Sequence, residues 1–148
     1  MANHIRRQLR EAVATAVTGL TTTGARVFQS RVYALQDAEL PGLRVFTKSE
    51  EATLESIHTP VLVGRTVEIA IEGVAKANTD LDDTLDLISK EVETALSLGV
   101  TVSGRTVQVA YLGCEQELSG EGERPTGTIA MRFEALLFNT ANAPDVLS

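Results

Sequence analysis

"GRTVEIAIEG", residues Gly64 to Gly73, is the stretch from which the fold can be read. Val67, Ile69 and Ile71 fall on one side of an extended chain, and Thr66, Glu68, Ala70 and Glu72 on the other. Side chains alternate across a strand with a period of two, so one face is buried and one is wet, as antiparallel sheets permit. Further on, "GRTVQVAYLG", Gly104 to Gly113, repeats the pattern with six of ten positions identical. Two copies with unmatched flanks do not make a repeat array. They read as two similar strands converging in one sheet.

Between the two lies a helix from about Asp80 to Leu98, with Leu81, Leu85, Ile88, Val92 and Leu96 on one apolar stripe. Thr79 with Asp82 spells a T-x-x-D capping box, and Asp80, Asp82, Asp83 and Asp86 crowd the positive end of the helix dipole. Gly99 closes the helix. So many carboxylates also suggest a divalent cation. The EF-hand pattern, however, requires a glycine turn and a later glutamate at fixed positions, and neither is present, so capping is the reading and no metal is expected.

Working outward, the last strand spans Thr126 to Phe138, with Ile129, Met131, Phe133, Ala135 and Leu137 facing one way. "CEQELSGEGERPTG" joins it to the preceding strand as a glycine- and glutamate-rich hairpin loop. Residues 141–148, small and polar, are expected to fray or to dock on a partner. On the N-terminal side, Ser49 to Pro60 reads as a long loop or the outer part of a hairpin. Before it come a strand from Leu43 to Lys48 after a Pro41–Gly42 turn, and a short strand within Ala25 to Tyr33. The first element, about His4 to Leu20, is a helix whose stripe is Ile5, Leu9, Ala12, Val13, Ala16 and Leu20, with Asn3 as N-cap and Gly19 at its end. Helix, strands, helix, strands is an α+β order: a mostly antiparallel β-sheet with two α-helices packed on one face.

At 148 residues the chain is read as one domain, 1–140, followed by the tail. It is long enough to bury roughly 70% of its unfolded surface without disulfides or metals. Thirteen basic against twenty acidic residues leave a net charge of −7, and no strong cationic cluster forms, so tight binding to a phosphate backbone is not expected. Arg6, Arg7 and Arg10 are the densest basic group and read as a solvated or subunit-facing surface. No apolar run approaches the roughly 18 to 20 residues of a membrane span, and the first residues lack a secretion signal's apolar core, so a soluble chain is expected.

Catalytic motifs are absent from the sequence. "GLTTTGAR", Gly19 to Arg26, has the glycine spacing of a phosphate-binding P-loop, but Ala25 and Arg26 replace the Lys and Ser/Thr. It also follows a helix and opens a strand, so no helix N-terminus points at a ligand. No G-x-S-x-G, H-E-x-x-H or C-x-x-C occurs. Cys114 is the sole cysteine, with the histidines His4 and His58 both in the N-terminal half, and reads as a small strand-end hydrophobe in a chain that needs no oxidation. An enzyme would have to assemble its carboxylates through the fold.

A more specific pattern occupies residues 4–51: "IRRQLREAVATAVTGL", then "TTTGARVFQSRVYAL", then "LPGLRVFTKSEE". A helix ending in GL, a threonine-rich turn into G-x-R-V-F, an R-V-Y strand and L-P-x-L-x-V-[FY]-T followed by acids resembles the tail terminator proteins of long-tailed bacteriophages, also called minor tail protein U. The resemblance implies a non-enzymatic virion protein, without cofactors, made in the host cytoplasm. It would form a six-fold ring on the head-proximal end of the tail tube, stop tube growth and present a surface to the head-tail connector protein. Its partners would be itself, the tail tube protein and that connector, with DNA passing through unbound and no membrane involved. A net negative ring wall lets a polyanion slide, which the charge fits.

On that reading the expected subunit interface pairs Arg6, Arg7, Arg10, Arg26 and Arg31 with Asp82, Asp83 and Asp86 of a neighbour. The tube or connector contacts fall in two loops. The first, Lys48 to Thr59, holds Lys48, Glu50, Glu51, Glu55 and His58; the second, Glu115 to Thr126, holds Glu117, Glu121, Glu123 and Arg124. Two other readings stay open: a connector or tail-completion role in the same particle, and a small ligand-binding or enzymatic α+β domain.

Overall fold

The computed structural model describes residues 2–29, 35–76, 80–119 and 125–148. In chain order they form α1 (Ile5–Ala16), β1 (Val27–Phe28), a 3-10 turn (Asp37–Glu39), β2 (Gly42–Leu54), β3 (Leu62–Lys76), α2 (Leu81–Leu96), β4 (Val100–Val102), β5 (Arg105–Val107), β6 (Val109–Ser119) and β7 (Thr126–Thr140). Five strands make one sheet in the order β1-β2-β3-β7-β6, and β4 and β5 pair separately. Every contact in the large sheet is antiparallel except the short parallel β1–β2 pair. The α+β architecture read from the sequence is therefore the observed one.

Periodicity explains the core. In β3 and β7 the registered pairs Val67–Ala135, Ile69–Phe133 and Ile71–Met131 all point to one face, and all are buried. Helix α1 sets Ile5, Leu9 and Val13 on that face at a spacing of four, and α2 adds Leu85, Ile88, Val92 and Leu96. Helix α1 lies over β2 and β4, and α2 over β3 and β7. Each such side chain contributes roughly 1.5–3 kcal/mol by leaving water.

Gly73 sets how closely α2 can sit. It pairs with Leu43 on one side and Ile129 on the other, and a Cβ there would stand 2.7 Å from Ile88 Cγ2. Gly73→Val is thus expected to push α2 off the sheet and to cost about 1–3 kcal/mol. The reading is a lowered urea midpoint at unchanged slope; an unchanged midpoint would mean that α2 is not held at this point.

Several elements differ from the sequence reading. "GRTVQVAYLG" is not one strand of the large sheet: Arg105–Val107 pairs with Val100–Val102, and only from Val109 does the chain join β7. Ser103 and Gly104, both at positive φ (50° and 78°), make the tight corner between β4 and β5. Helix α1 ends at Ala16, short of Leu20, and its N-cap is His4, whose Nδ1 accepts the Arg6 N–H at 3.1 Å, and not Asn3. The N-cap of α2 is Asp80, whose side chain makes no capping bond, while Thr79 of the expected capping box lies outside the described residues.

The described parts of both expected loops are largely strand. β2 runs on to Leu54, paired with β3 as far as Leu54–Val63, so Lys48, Glu50 and Glu51 lie on a strand and only residues 55–61 turn. β6 runs to Ser119 and carries Glu117. Residues 141–148 fold back on their own chain: the Ala141 N–H donates to Val61 O, the Ile5 N–H to Pro144 O and the Ser148 N–H to Phe138 O, all at 2.8–2.9 Å. Leu147 packs against the core.

Candidate assembly surfaces

Strand β2 carries Glu50 with its side chain on the helix side of the sheet, because the bulge between Thr47 and Ser49 resets the alternation. There Glu50 accepts from Arg6 Nη1 and from Arg65 Nη1, each at 2.8 Å. Arg65 Nε donates in turn to Asn139 Oδ1 at 2.7 Å, and Asn139 Nδ2 to Thr140 O. Asn139 is fully buried. The N-terminus of α1, the outer half of β2–β3 and the end of β7 are thereby tied together by one charged network. Burial alone raises the Glu50 pKa, but the hydrogen bonds and charges of Arg6 and Arg65 outweigh it and hold the carboxyl below its usual value.

His4 stands beside this network. Burial first, then the Arg6 and Arg65 charges, lower its pKa below the ordinary 6.5, so the neutral ring is the one that caps α1. As pH falls through 6.5, the unfolded chain takes up a proton that the folded chain refuses. The contribution is complete above 6.5 and drains as pH drops toward the folded value. His4→Ala should lose about 0.5–1 kcal/mol at pH 8 and flatten the slope just below 6.5, which thermal melts across pH measure.

The face of the sheet away from the helices is open. Its charges form a cross-strand ladder: Arg44 pairs with Glu72, and Glu68 lies 3.8 Å from both Lys48 and Arg132. Glu68 and Glu134 face each other directly in the β3–β7 register, and the two cations offset that repulsion. A shallow depression of about 150 Å³ lies here between Phe46, Lys48, Glu72, Glu115 and Arg132. Another, of about 360 Å³, lies between the Gly19–Thr21 turn and Lys90, Thr94 and Ala95 of α2. The threonine turn is bound to α2, with the Thr22 N–H and Oγ1 both donating to the Glu91 carboxylate. It turns the chain and docks it. Among the described residues no cluster of three or more His, Cys, Asp and Glu side chains is placed to hold a metal. Among the described residues no helix is long and apolar enough to cross a membrane.

Among the described residues no strand pairs with the outer side of β6, nor with the outer side of β2 beyond Arg44. Among the described strands β6 stands at the edge, with Tyr111 (43% exposed), Leu112 and Leu118 (55%) reaching solvent. At the other end, β1 covers only Leu43 and Arg44 of β2, so the outer half of β2 is an edge among the described residues. Its last residue, Leu54, is 74% exposed, and Ile57 in the turn beyond it is 96% exposed. Long edges and clustered exposed apolar side chains mark association surfaces. Tyr111 sets its ring edge-on to Phe133 at 5.4 Å. Its hydroxyl is pushed up to about 12, first by the hydrogen bond with Cys114 and then by burial.

The residues singled out from sequence are distributed unevenly over these surfaces. Arg6 is spent on Glu50, Arg7 on Glu11 at 2.9 Å and Arg10 on Gln29 at 3.2 Å. Arg26 donates to Pro41 O (2.7 Å) and Thr22 O (3.0 Å), locking the turn before β1. Arg31 lies outside the described residues. Asp82 and Asp83 are exposed in the first turn of α2, and Asp86 accepts from Gln116 of β6 at 3.1 Å. Among the described residues no ion pair joins these arginines to the three aspartates. Glu51 is exposed on β2, Glu55 accepts the Thr53 hydroxyl at 2.5 Å and His58 is exposed in the turn. Glu117 is exposed on β6, and Glu121, Glu123 and Arg124 lie outside the described residues. Sequence reasoning missed Arg65 and Asn139. The signal for Asn139 was there: two residues past Leu137, it occupies an inward position of β7.

No protein-family model matches the chain, and no curated protein matches it. Among solved structures, one chain of a structure described as the virion of a native gene transfer agent particle is similar at 16% identity and a TM-score of 0.46. The match covers 90% of this chain and 92% of that one.

Proposed function

We propose that this chain is a structural virion protein that closes into a ring, six-fold as the sequence resemblance implies. The ring sits on the head-proximal end of a phage tail tube, ends its growth and offers the joint to the head connector. The observation that carries this reading is the pair of dissimilar rims at opposite ends of one sheet. One rim is β6 with Tyr111, Leu112 and Leu118; the other is outer β2 with Leu54 at its end and Ile57 in the turn beyond. Unlike surfaces that fit each other join head to tail, and head-to-tail contacts close into rings when the rotation permits. The helix–turn–strand pattern of residues 4–51 supports the position in the particle, and the net charge of −7 per copy suits a channel through which DNA slides without binding.

The chain acts by surfaces, with no catalytic group or cofactor. Because Arg6 and Arg26 serve their own chain, Asp82 and Asp83 are left as the expected acidic contacts of α2. The test is to polymerise the tail tube protein with and without the purified chain. Shorter tubes, each bearing a ring at one end in electron micrographs, are the expected result. Tubes of unchanged length with bare ends would overturn the terminator reading.

A further inference from the structure

We propose that the outer edge of β6 receives an extended segment of a partner protein, with lysine or arginine at alternate positions and apolar residues between them. The segment adds as a further strand, its backbone hydrogen-bonded to β6 and its cations over Glu115 and Glu117. The inference goes beyond the ring reading and does not depend on it.

Exposure provides the first argument. From Ala110 to Leu118 every residue but the half-buried Gly113 is exposed, and among the described residues no strand pairs with the outer side of β6. A long edge presents a row of backbone N–H and C=O groups, the template on which an extended peptide adds a strand. Tyr111 and Leu118 face the helix side, in register with Phe133 and Gly127, and both are exposed. They form an apolar shelf for alternate side chains of the incoming strand, so only the other positions need be cationic.

Charge provides the second. Glu115 and Glu117 are exposed on the face away from the helices, opposite Ala130 and Thr128. Neither makes an ion pair among the described residues. Arg132, opposite Gly113, lies 3.8 Å from Glu68 of β3. On the helix side Asp86 accepts from Gln116 of β6 at 3.1 Å, and the Glu93 charge reaches Tyr111. The strand is thus flanked by carboxylates on both faces, and opposite charges directly across a strand pair stabilise it.

The same charges argue against a second copy as the occupant. β6 laid against β6 sets Glu115 and Glu117 against their own kind, and outer β2 offers Glu51, exposed and opposite Thr66 on the same face. Like charges facing each other across strands are destabilising. In a ring, a cationic segment within each joint keeps these carboxylates apart.

The test titrates the whole chain with short capped peptides: one alternating lysine and valine, one of the same composition with all lysines before all valines, and one alternating glutamate and valine. Binding is read by fluorescence anisotropy, and its location by amide exchange. The alternating lysine peptide should bind, lose affinity with added salt and slow exchange along β6 while leaving α1 unchanged. The block peptide should bind about tenfold more weakly, because only alternation puts all cations on one face of a strand. Glu115→Lys with Glu117→Lys, at two exposed positions, should cut affinity for the alternating lysine peptide about tenfold and confer binding of the glutamate peptide. Equal binding of the block and alternating peptides would reduce the effect to charge attraction and overturn the added strand. Absence of binding, or protection away from β6, would overturn it as well. Protection of β6 that rises with the concentration of the free chain alone would assign the edge to a second copy instead. Each of these results leaves the ring reading standing, since no ring enters the measurement.

Discussion

Glu50→Ala is expected to destabilise the chain by about 3 kcal/mol, because it strands two cations in a place that excludes most water. The Glu50 and Arg65 side chains are only 16% and 15% exposed, and Arg65 is fixed from its other side by the buried Asn139. Arg6 swings back to solvent at little cost, being 40% exposed, so most of the loss falls on Arg65. For a domain of this length the melting temperature should drop by about 10 °C. The pH dependence has a definite sign. The folded Glu50 pKa lies below 4.5, so the stabilisation is complete above that pH and is lost as pH falls through the folded value. Glu50→Ala removes that part of the acid sensitivity, so wild-type and variant melts should converge at low pH. A constant gap between them from pH 8 to pH 2 would contradict the network.

Phe133→Ala is expected to cost about 3–5 kcal/mol, the range for deleting a buried aromatic side chain. Phe133 is 1% exposed, lies between Ile69 on β3 and Tyr111 on β6, and takes the Tyr111 ring edge-on. Its removal also takes away the ring on which Tyr111 of β6 packs, one side-chain contact added to the β6–β7 backbone ladder. Amide exchange along β6 should therefore accelerate beyond what global destabilisation explains, and ring closure should weaken even where the chain is still folded. Phe133→Leu, which keeps most of the volume, should recover most of the stability. A loss under about 1 kcal/mol for the alanine variant, read by urea titration, would mean that the core collapses freely around this position.

The legible parts of this fold are those where burial is one-sided and periodic. Val67, Ile69 and Ile71, like Ile129 through Leu137, announce a strand with a single inner face, and both helices announce a single stripe. Outer β2 was illegible because Ser49 through Leu54 are polar or exposed on both sides of the strand, and the sole inward carboxylate, Glu50, is satisfied by arginines distant in sequence. The break between β5 and β6 was illegible for the opposite reason. Val107 and Val109 are both buried, so the alternation passes through the break without a mark, and only pairing partners distinguish the two halves. Own-chain partners distant in sequence were also illegible: Arg6 meets Glu50, Arg10 meets Gln29 and Arg26 meets Pro41 O, and charge pattern alone does not announce these contacts. The rims at β6 and outer β2 have no sequence signature, since an edge is defined by what the rest of the chain leaves unpaired.

The most direct test of the account is electron microscopy of the particles produced when this chain is deleted from its parent genome. Overlong tails, detached from filled heads, are expected, because nothing then ends the tube or joins it to the connector. Normal-length tails beside leaking or tailless heads would move the role to the connector. Intact, infectious particles with tails of normal length would contradict the assembly role altogether.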